Sequence, residues 1–244
     1  MKALLAQAAA ETRMTLRRGE TLLLTLGIPV GLLIFLSVTK VLSAPGDQDS
    51  FLVPGILALA IMSSSLVSLG IGTAFQREYQ VLKRLGATPL GRPRLVIAKI
   101  LSVILVELLQ AAVVLGAGLL LGWRPGPAVE LSCCLAAFGA CVAGTAGFSG
   151  LGLLLAGRLR ADAVLAVANG LWVGLFLLGG MVFPLSKLPS GLRAVADALP
   201  ASALAEALRA SIGAGSRVPA HSWVVLVIWA AAAPIAAALS FRWE

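Results

Sequence analysis

Charge is scarce in this 244-residue chain: Asp, Glu, Lys and Arg make up only 12% of it, about half the share of a soluble domain. Histidine and tyrosine each occur once, and cysteine three times. Each shortage removes a class of function. No carboxylate pair, Ser/His/Asp set or metal-ligand cluster stands out, and the lone His221 lies at the edge of the last apolar run. Cys133, Cys134 and Cys141 share one apolar run, and their odd number and spacing fit neither a zinc site nor a disulfide framework. They read as small apolar residues. No G-x-x-x-x-G-K-[ST] stretch occurs, so the chain lacks the usual cradle for ATP phosphates.

What is abundant is apolar surface. Hydrophobic residues are 59% of the sequence and mean hydropathy is +0.97, more than a core of this size could hide from water. A span needs about 20 apolar residues, and six runs qualify, at roughly 21–43, 52–75, 95–121, 129–156, 162–184 and 222–241. The first starts near Thr21 without a cleavage site after it, so a retained span is expected rather than a signal peptide.

The net charge of +8 could suggest nucleic acid, but the cations sit between apolar runs, as the positive-inside bias places them. With both termini inside, the inner segments hold Lys2, Arg13, Arg17, Arg18, Arg77, Lys83, Arg84, Arg92, Arg94, Lys99, Arg158, Arg160 and Arg242. The outer segments hold Lys40, Arg124, Lys187, Arg193, Arg209 and Arg217. Thirteen against six sets both ends in the cytoplasm. The expected architecture is all-α, a single membrane domain over 1–244.

Residues 2–18 have helix-forming composition and a weak apolar stripe at Leu4, Leu5, Ala8 and Leu16, which suits a helix on the inner surface. Between runs five and six, Leu188, Leu192, Val195 and Leu199 recur at helical spacing, as do Leu204, Leu208 and Ile212, with Pro200 dividing the sets. These predict two short amphipathic helices lying on the outer surface or dipping into the outer leaflet.

Two features stand apart. From Gln76 to Leu85 the apolar Tyr79, Val81, Leu82 and Leu85 alternate with charges at a helical period, and Gly86 and Pro89 end the pattern. A short basic helix level with the inner surface is expected, either a docking element or a plain positive-inside anchor. Glu107 stands in the third run with Gln110 one turn on, and Asn169 stands in the fifth. An intramembrane carboxylate is costly and marks a path, a pairing or a structural hydrogen bond.

The stretch QREYQVLKRLGATPLGRPRLVIAKIL, with its R-E pair, K-R-L and A-T-P, resembles the cytoplasmic loop of ABC-2 type permeases. The distant GLFLLGGMVFPLSKLPSGLRAVADALPASALAEALR, with F-P-x-x-x-L-P, a helix, a proline and a second helix, resembles the end of that family's fifth span. The chain is most similar to the daunorubicin-resistance drug-export branch. The resemblance implies a membrane subunit that dimerises with an identical or paralogous copy on two separate ATPase subunits. ATP and magnesium would be bound by those subunits and no cofactor or metal by this chain. The coupling helix that docks in the ATPase would comprise Arg77, Glu78, Tyr79, Leu82, Lys83, Arg84, Leu85, Ala87, Thr88 and Pro89. The outer gate would comprise Phe183, Pro184, Leu188, Pro189, Leu192, Pro200 and Leu204. It further implies export of a lipophilic or amphiphilic drug, antibiotic or lipid through a bacterial inner membrane, with membrane lipid as neighbour and no nucleic acid. The alternatives are a proton-coupled secondary carrier using Glu107 and a non-transporting membrane scaffold.

The orientation is testable. In a chain with its three cysteines replaced, an impermeant thiol reagent added outside is expected to label a cysteine placed at Ser190 and to spare one at Gln80. The reverse pattern inverts the topology.

Overall fold

The computed structural model describes residues 2–17, 19–39, 48–81 and 92–240, and all regular structure among them is helical. In order these are α1 (Lys2–Arg17), α2 (Gly19–Thr39), α3 (Gln48–Glu78), α4 (Arg92–Leu120), α5 (Leu131–Arg158), α6 (Ala161–Leu178), the short α7 (Ser190–Asp197) and α8 (Pro200–Leu208), and α9 (Ala220–Ser240). Five of them, α3, α4, α5, α6 and α9, are long and apolar enough to cross a membrane. Of the first expected span, α2 supplies Gly19–Thr39, with an apolar helix over Thr25–Thr39, and residues 40–43 of the 21–43 run lie outside the described residues.

Other boundaries move for local reasons. The fifth run was expected to reach residue 184, but α6 stops at Leu178. Gly180 adopts φ +63°, a left-handed conformation open to glycine, and turns Met181 to Pro184 out of the helix axis. The helix expected to begin at Gln76 is the last turn of α3, which breaks at Tyr79 and Gln80, the latter with φ 59°. The rest of that loop, including Leu82, Lys83, Arg84, Leu85, Ala87, Thr88 and Pro89, lies outside the described residues.

α3 is the hub of the bundle. Its apolar stretch is 78% buried, against 22–33% for the other four spans, so those four face lipid on their outer sides. Midway along α3, Ser63–Ser68 adopt π-helical hydrogen bonding, a widening that accommodates an extra residue and is frequent at functional sites. The sequence pattern gave no sign of it.

Of the two placements expected for α8, the surface one does not hold: Leu204 and Leu208 are fully buried, and α8 packs on α3, α5 and α9. Leu204 seats over Gly144 of α5, where a methyl group would meet its side chain. α7 does stay peripheral, with Leu192 and Val195 about half exposed.

The most extensive helix–helix contact joins α5 to α9. Gly150 of α5 abuts the backbone at Ala233 and Pro234 of α9, leaving no room for a Cβ. Close approach of this kind supplies the dispersion contacts that hold helices together in lipid. Gly150→Ala is therefore expected to lower stability by about 1–3 kcal/mol through overpacking. Gly116→Ala in α4, where a Cβ meets open space, should be neutral or gain up to about 1 kcal/mol from helix propensity. Thermal unfolding of the two detergent-solubilised variants checks the pair.

Candidate functional site

Hydrocarbon cannot hydrogen-bond, so polar side chains within the spans mark either internal partnerships or a path. In this bundle they gather in three places around α3.

The first is a cleft of about 560 Å³ between α2, α3 and α6. Thr25 and Pro29 come from α2, Ser63, Ser64 and Ser68 from the π segment of α3, and Asn169 and Trp172 from α6. Trp172 Nε1 donates to Ser63 Oγ at 2.8 Å, while that hydroxyl donates to the Leu59 carbonyl. Ser64 Oγ donates to Gln110 Oε1 at 3.0 Å, and Gln110 Nε2 donates to the Thr25 carbonyl at 2.7 Å. The amide of Gln110 thus joins α4, α3 and α2 behind the cleft. Asn169 is exposed, lines the cleft and donates to the Leu165 carbonyl at 2.7 Å. Trp172 stacks on Phe176 at 5.4 Å, and Phe176 meets Phe183 edge to face at 6.2 Å. These aromatics look irregular in sequence, yet the break after α6 aligns all three rings from the cleft toward the outer end.

The second place is the interface of α4 with α5. Glu107 is buried, and one of its oxygens, Oε2, shares a hydrogen bond with Thr145 Oγ1. The Thr145 hydroxyl also lies 2.8 Å from the Cys141 carbonyl. No donor among the described residues reaches Glu107 Oε1. Gln110, one turn away, is therefore fully engaged while Glu107 is half engaged. Of the three expected intramembrane polar residues, Asn169 lines the cleft, Gln110 stands behind it on Ser64 and Thr25, and Glu107 lies apart from it.

The third place lies where α1 packs on α4 near the end of α3, and sequence reasoning missed it. Lys99 is 1% exposed and pairs with Glu11 of α1 at 3.0 Å. Its ammonium also donates to Gln76 Oε1 of α3 at 2.6 Å. Gln7 Nε2 donates to Glu11 Oε1 at 3.0 Å, and Gln76 Nε2 approaches Glu11 Oε2 at 3.4 Å. The cluster locks the surface helix to both spans that flank the basic loop. The available signals were a carboxylate three residues beyond Ala8 on the apolar stripe of α1, and a lysine four residues inside an apolar run. Alongside, Arg77 Nη2 donates to the Leu159 carbonyl at 2.5 Å, tying α3 to the turn between α5 and α6. Glu78, Tyr79 and Val81 are exposed where α3 ends.

The outer end is held by Arg209, at the head of the π-helical Arg209–Gly213 that continues α8. Its guanidinium donates to the carbonyls of Gly180 and Met181, the latter at 2.9 Å, and to that of Phe51 at 3.4 Å, and it covers the Phe51 ring at 3.8 Å. Burial lowers its pKa to about 10, opposed by Glu206, so it remains a cation at neutral pH. The expected gate residues divide: Phe183, Pro189 and Leu192 are exposed, Leu188 is half-buried, and Pro184, Pro200 and Leu204 are buried.

The family model described as ABC-2 type transporter matches residues 3–212. No curated protein matches the chain.

Removing one partner of a buried ion pair strands the other charge, at a cost of about 3–5 kcal/mol. Lys99→Met is expected to fall in that range, and Lys99→Met combined with Glu11→Gln should recover at least half of the loss. Unfolding midpoints of the single and double variants decide the matter.

Proposed function

The chain belongs to the ABC-2 type transporter family, and we propose that it is the permease subunit of an ATP-driven exporter of lipophilic or amphiphilic compounds. In this reading one membrane domain, 1–244, works as a dimer on two separate ATPase subunits that bind ATP and magnesium. It resides in a bacterial inner membrane with both termini in the cytoplasm. Beyond family membership, one observation carries it: α3 runs from Gln48 to Glu78 without a break, lines the cleft with its π segment, and continues at its inner end into the basic loop. A large cleft that combines aromatic, hydroxyl and amide groups therefore sits on the helix that leads to the expected docking loop.

The mechanism follows from those connections. ATPase closure would displace the loop that follows Val81. α3 and α4 flank that loop, and the Glu11–Lys99–Gln76 cluster binds them to α1, so the three would move together. The displacement reaches Ser63, Ser64 and Trp172 in the cleft along α3. At its outer end α3 meets Arg209 through Phe51, which links the same motion to α8 and the chain after α6. ATP thus shifts the population between cleft conformations by binding them differently, with no chemical step in this chain.

Co-purification with tagged candidate ATPases, followed by compound-stimulated ATP hydrolysis, tests this reading. The chain alone should hydrolyse no ATP. Lys83→Glu with Arg84→Glu should weaken the complex at least about tenfold, as expected for charged contacts across an interface. Arg77 is better left intact, because its bond to Leu159 would confuse docking with folding. A complex that survives both reversals removes the docking assignment, and an Asn169→Leu variant that keeps full compound stimulation removes the cleft from the path.

A further inference from the structure

A second cavity lies on the other side of α3. It measures about 230 Å³ and runs between α3, α4, α5 and α8. Leu57 and Ile61 of α3 face it, while Leu59 and Ser63 face the cleft; two residues turn a helix by about 200°. Along α4 the lining extends from Ile104 to Leu115, about 16 Å at 1.5 Å per residue. The walls are almost wholly apolar. The polar groups are Glu107 and Thr145 at mid-span, with the thiols Cys141 and Cys134. Leu108 and Phe138, each about half exposed, form a rim toward the lipid side.

The hydrogen-bond ledger of Glu107 dictates what fits there. Thr145 has one hydroxyl hydrogen and two acceptors in reach, Glu107 Oε2 and the Cys141 carbonyl. If it donates to Cys141, Glu107 must be protonated and donate to Thr145, and Oε1 is a bare acceptor. If it donates to Glu107, the carboxyl is either ionised, with uncompensated charge at Oε1, or neutral, with its proton on Oε1 and no acceptor in reach. Every arrangement leaves Oε1 without a partner among the described residues. A buried acceptor without a partner costs about 1–3 kcal/mol, and more when charged.

We propose that this cavity binds lipophilic amines, with the ammonium on Glu107 Oε1 and the apolar body along the α4–α5 groove, entered from the bilayer between Leu108 and Phe138. An ammonium supplies both the donor and the compensating charge, and the walls accept an alkyl or ring body. The site deepens the permease reading by naming a substrate class, and its biological role rests on that reading. It is separate from the Ser63–Trp172 cleft, to which Glu107 contributes nothing.

Binding is measured on the full chain in nanodiscs of phosphatidylcholine and phosphatidylglycerol, without ATPase or ATP, using dodecylamine and, as its uncharged match, dodecanol. Failure here leaves the permease reading intact, and failure of ATPase co-purification leaves this result standing. Glu107→Gln keeps the shape and removes the charge. It should weaken dodecylamine at least about tenfold, the scale of a charge-assisted hydrogen bond, and change dodecanol less than threefold. A second readout needs no variant: Cys134 lines the cavity and Cys133 does not, so saturating dodecylamine should slow alkylation of Cys134 in the wild-type chain and spare Cys133. Wild-type affinity in Glu107→Gln overturns the proposal, as does binding that leaves Cys134 unprotected.

Discussion

Within the hydrocarbon region every polar side chain must find its partner in the protein, and α3 is where most of them find it. Ser63 takes the indole of Trp172, Ser64 takes Gln110, and Gln76 takes Lys99. These bonds connect α3 to α6, α4 and, through the carbonyl of Thr25 and the carboxylate of Glu11, to α2 and α1. Apolar packing alone distinguishes poorly between rotations of one helix against another when lipid is as apolar as the helices. Directional bonds fix the rotation, and so fix which side of α3 faces the cleft and which faces the Glu107 cavity.

The same bonds are unevenly distributed along the membrane normal. The inner end carries charge: a buried ion pair with two glutamines around it, and Arg77 on a carbonyl. The outer end carries one guanidinium on three carbonyls and a ring. Between them, among the described residues, stand hydroxyls, amides, the Trp172 indole and one half-engaged carboxyl. Charged contacts in a low-dielectric interior are strong only with good geometry, so both ends resist deformation. The middle, with single neutral bonds of about 0.5–1.5 kcal/mol, yields first. That gradient suits a device whose ends move as bodies and whose centre changes shape.

Much of this was legible in the sequence. Five of the six apolar runs coincide with helices long and apolar enough to span, residues 2–17 form α1, and Pro200 opens α8 as the break between two periodic segments suggested. The residue pattern failed where a partner lies far along the chain. Lys99 resembles a surface anchor whose stem is buried and whose head reaches water; its partner Glu11 is 88 residues away. The periodicity of Leu204 and Leu208 shows that α8 has an apolar side, but not that α3, α5 and α9 cover it. Individual glycines are no clearer from sequence: Gly170 and Gly174 face open space, whereas Gly150 and Gly152 make close approaches, and only the neighbour tells them apart.

The π segment of α3 explains why serines cluster there. A π turn leaves backbone carbonyls less well used than an α turn does, and Ser63 and Ser65 return hydroxyl hydrogens to the carbonyls of Leu59 and Ile61. Reversion of the segment to α hydrogen bonding would rotate one half of α3 against the other by about 100° for each residue absorbed. Ser63 would leave Trp172, and Ser64 would leave Gln110. Those two bonds therefore hold the widened turn, and the widened turn in turn sets the cleft. Strain on this one segment is enough to alter the polar lining of the cleft, because Ser63, Ser64 and Ser68 of the segment all line it.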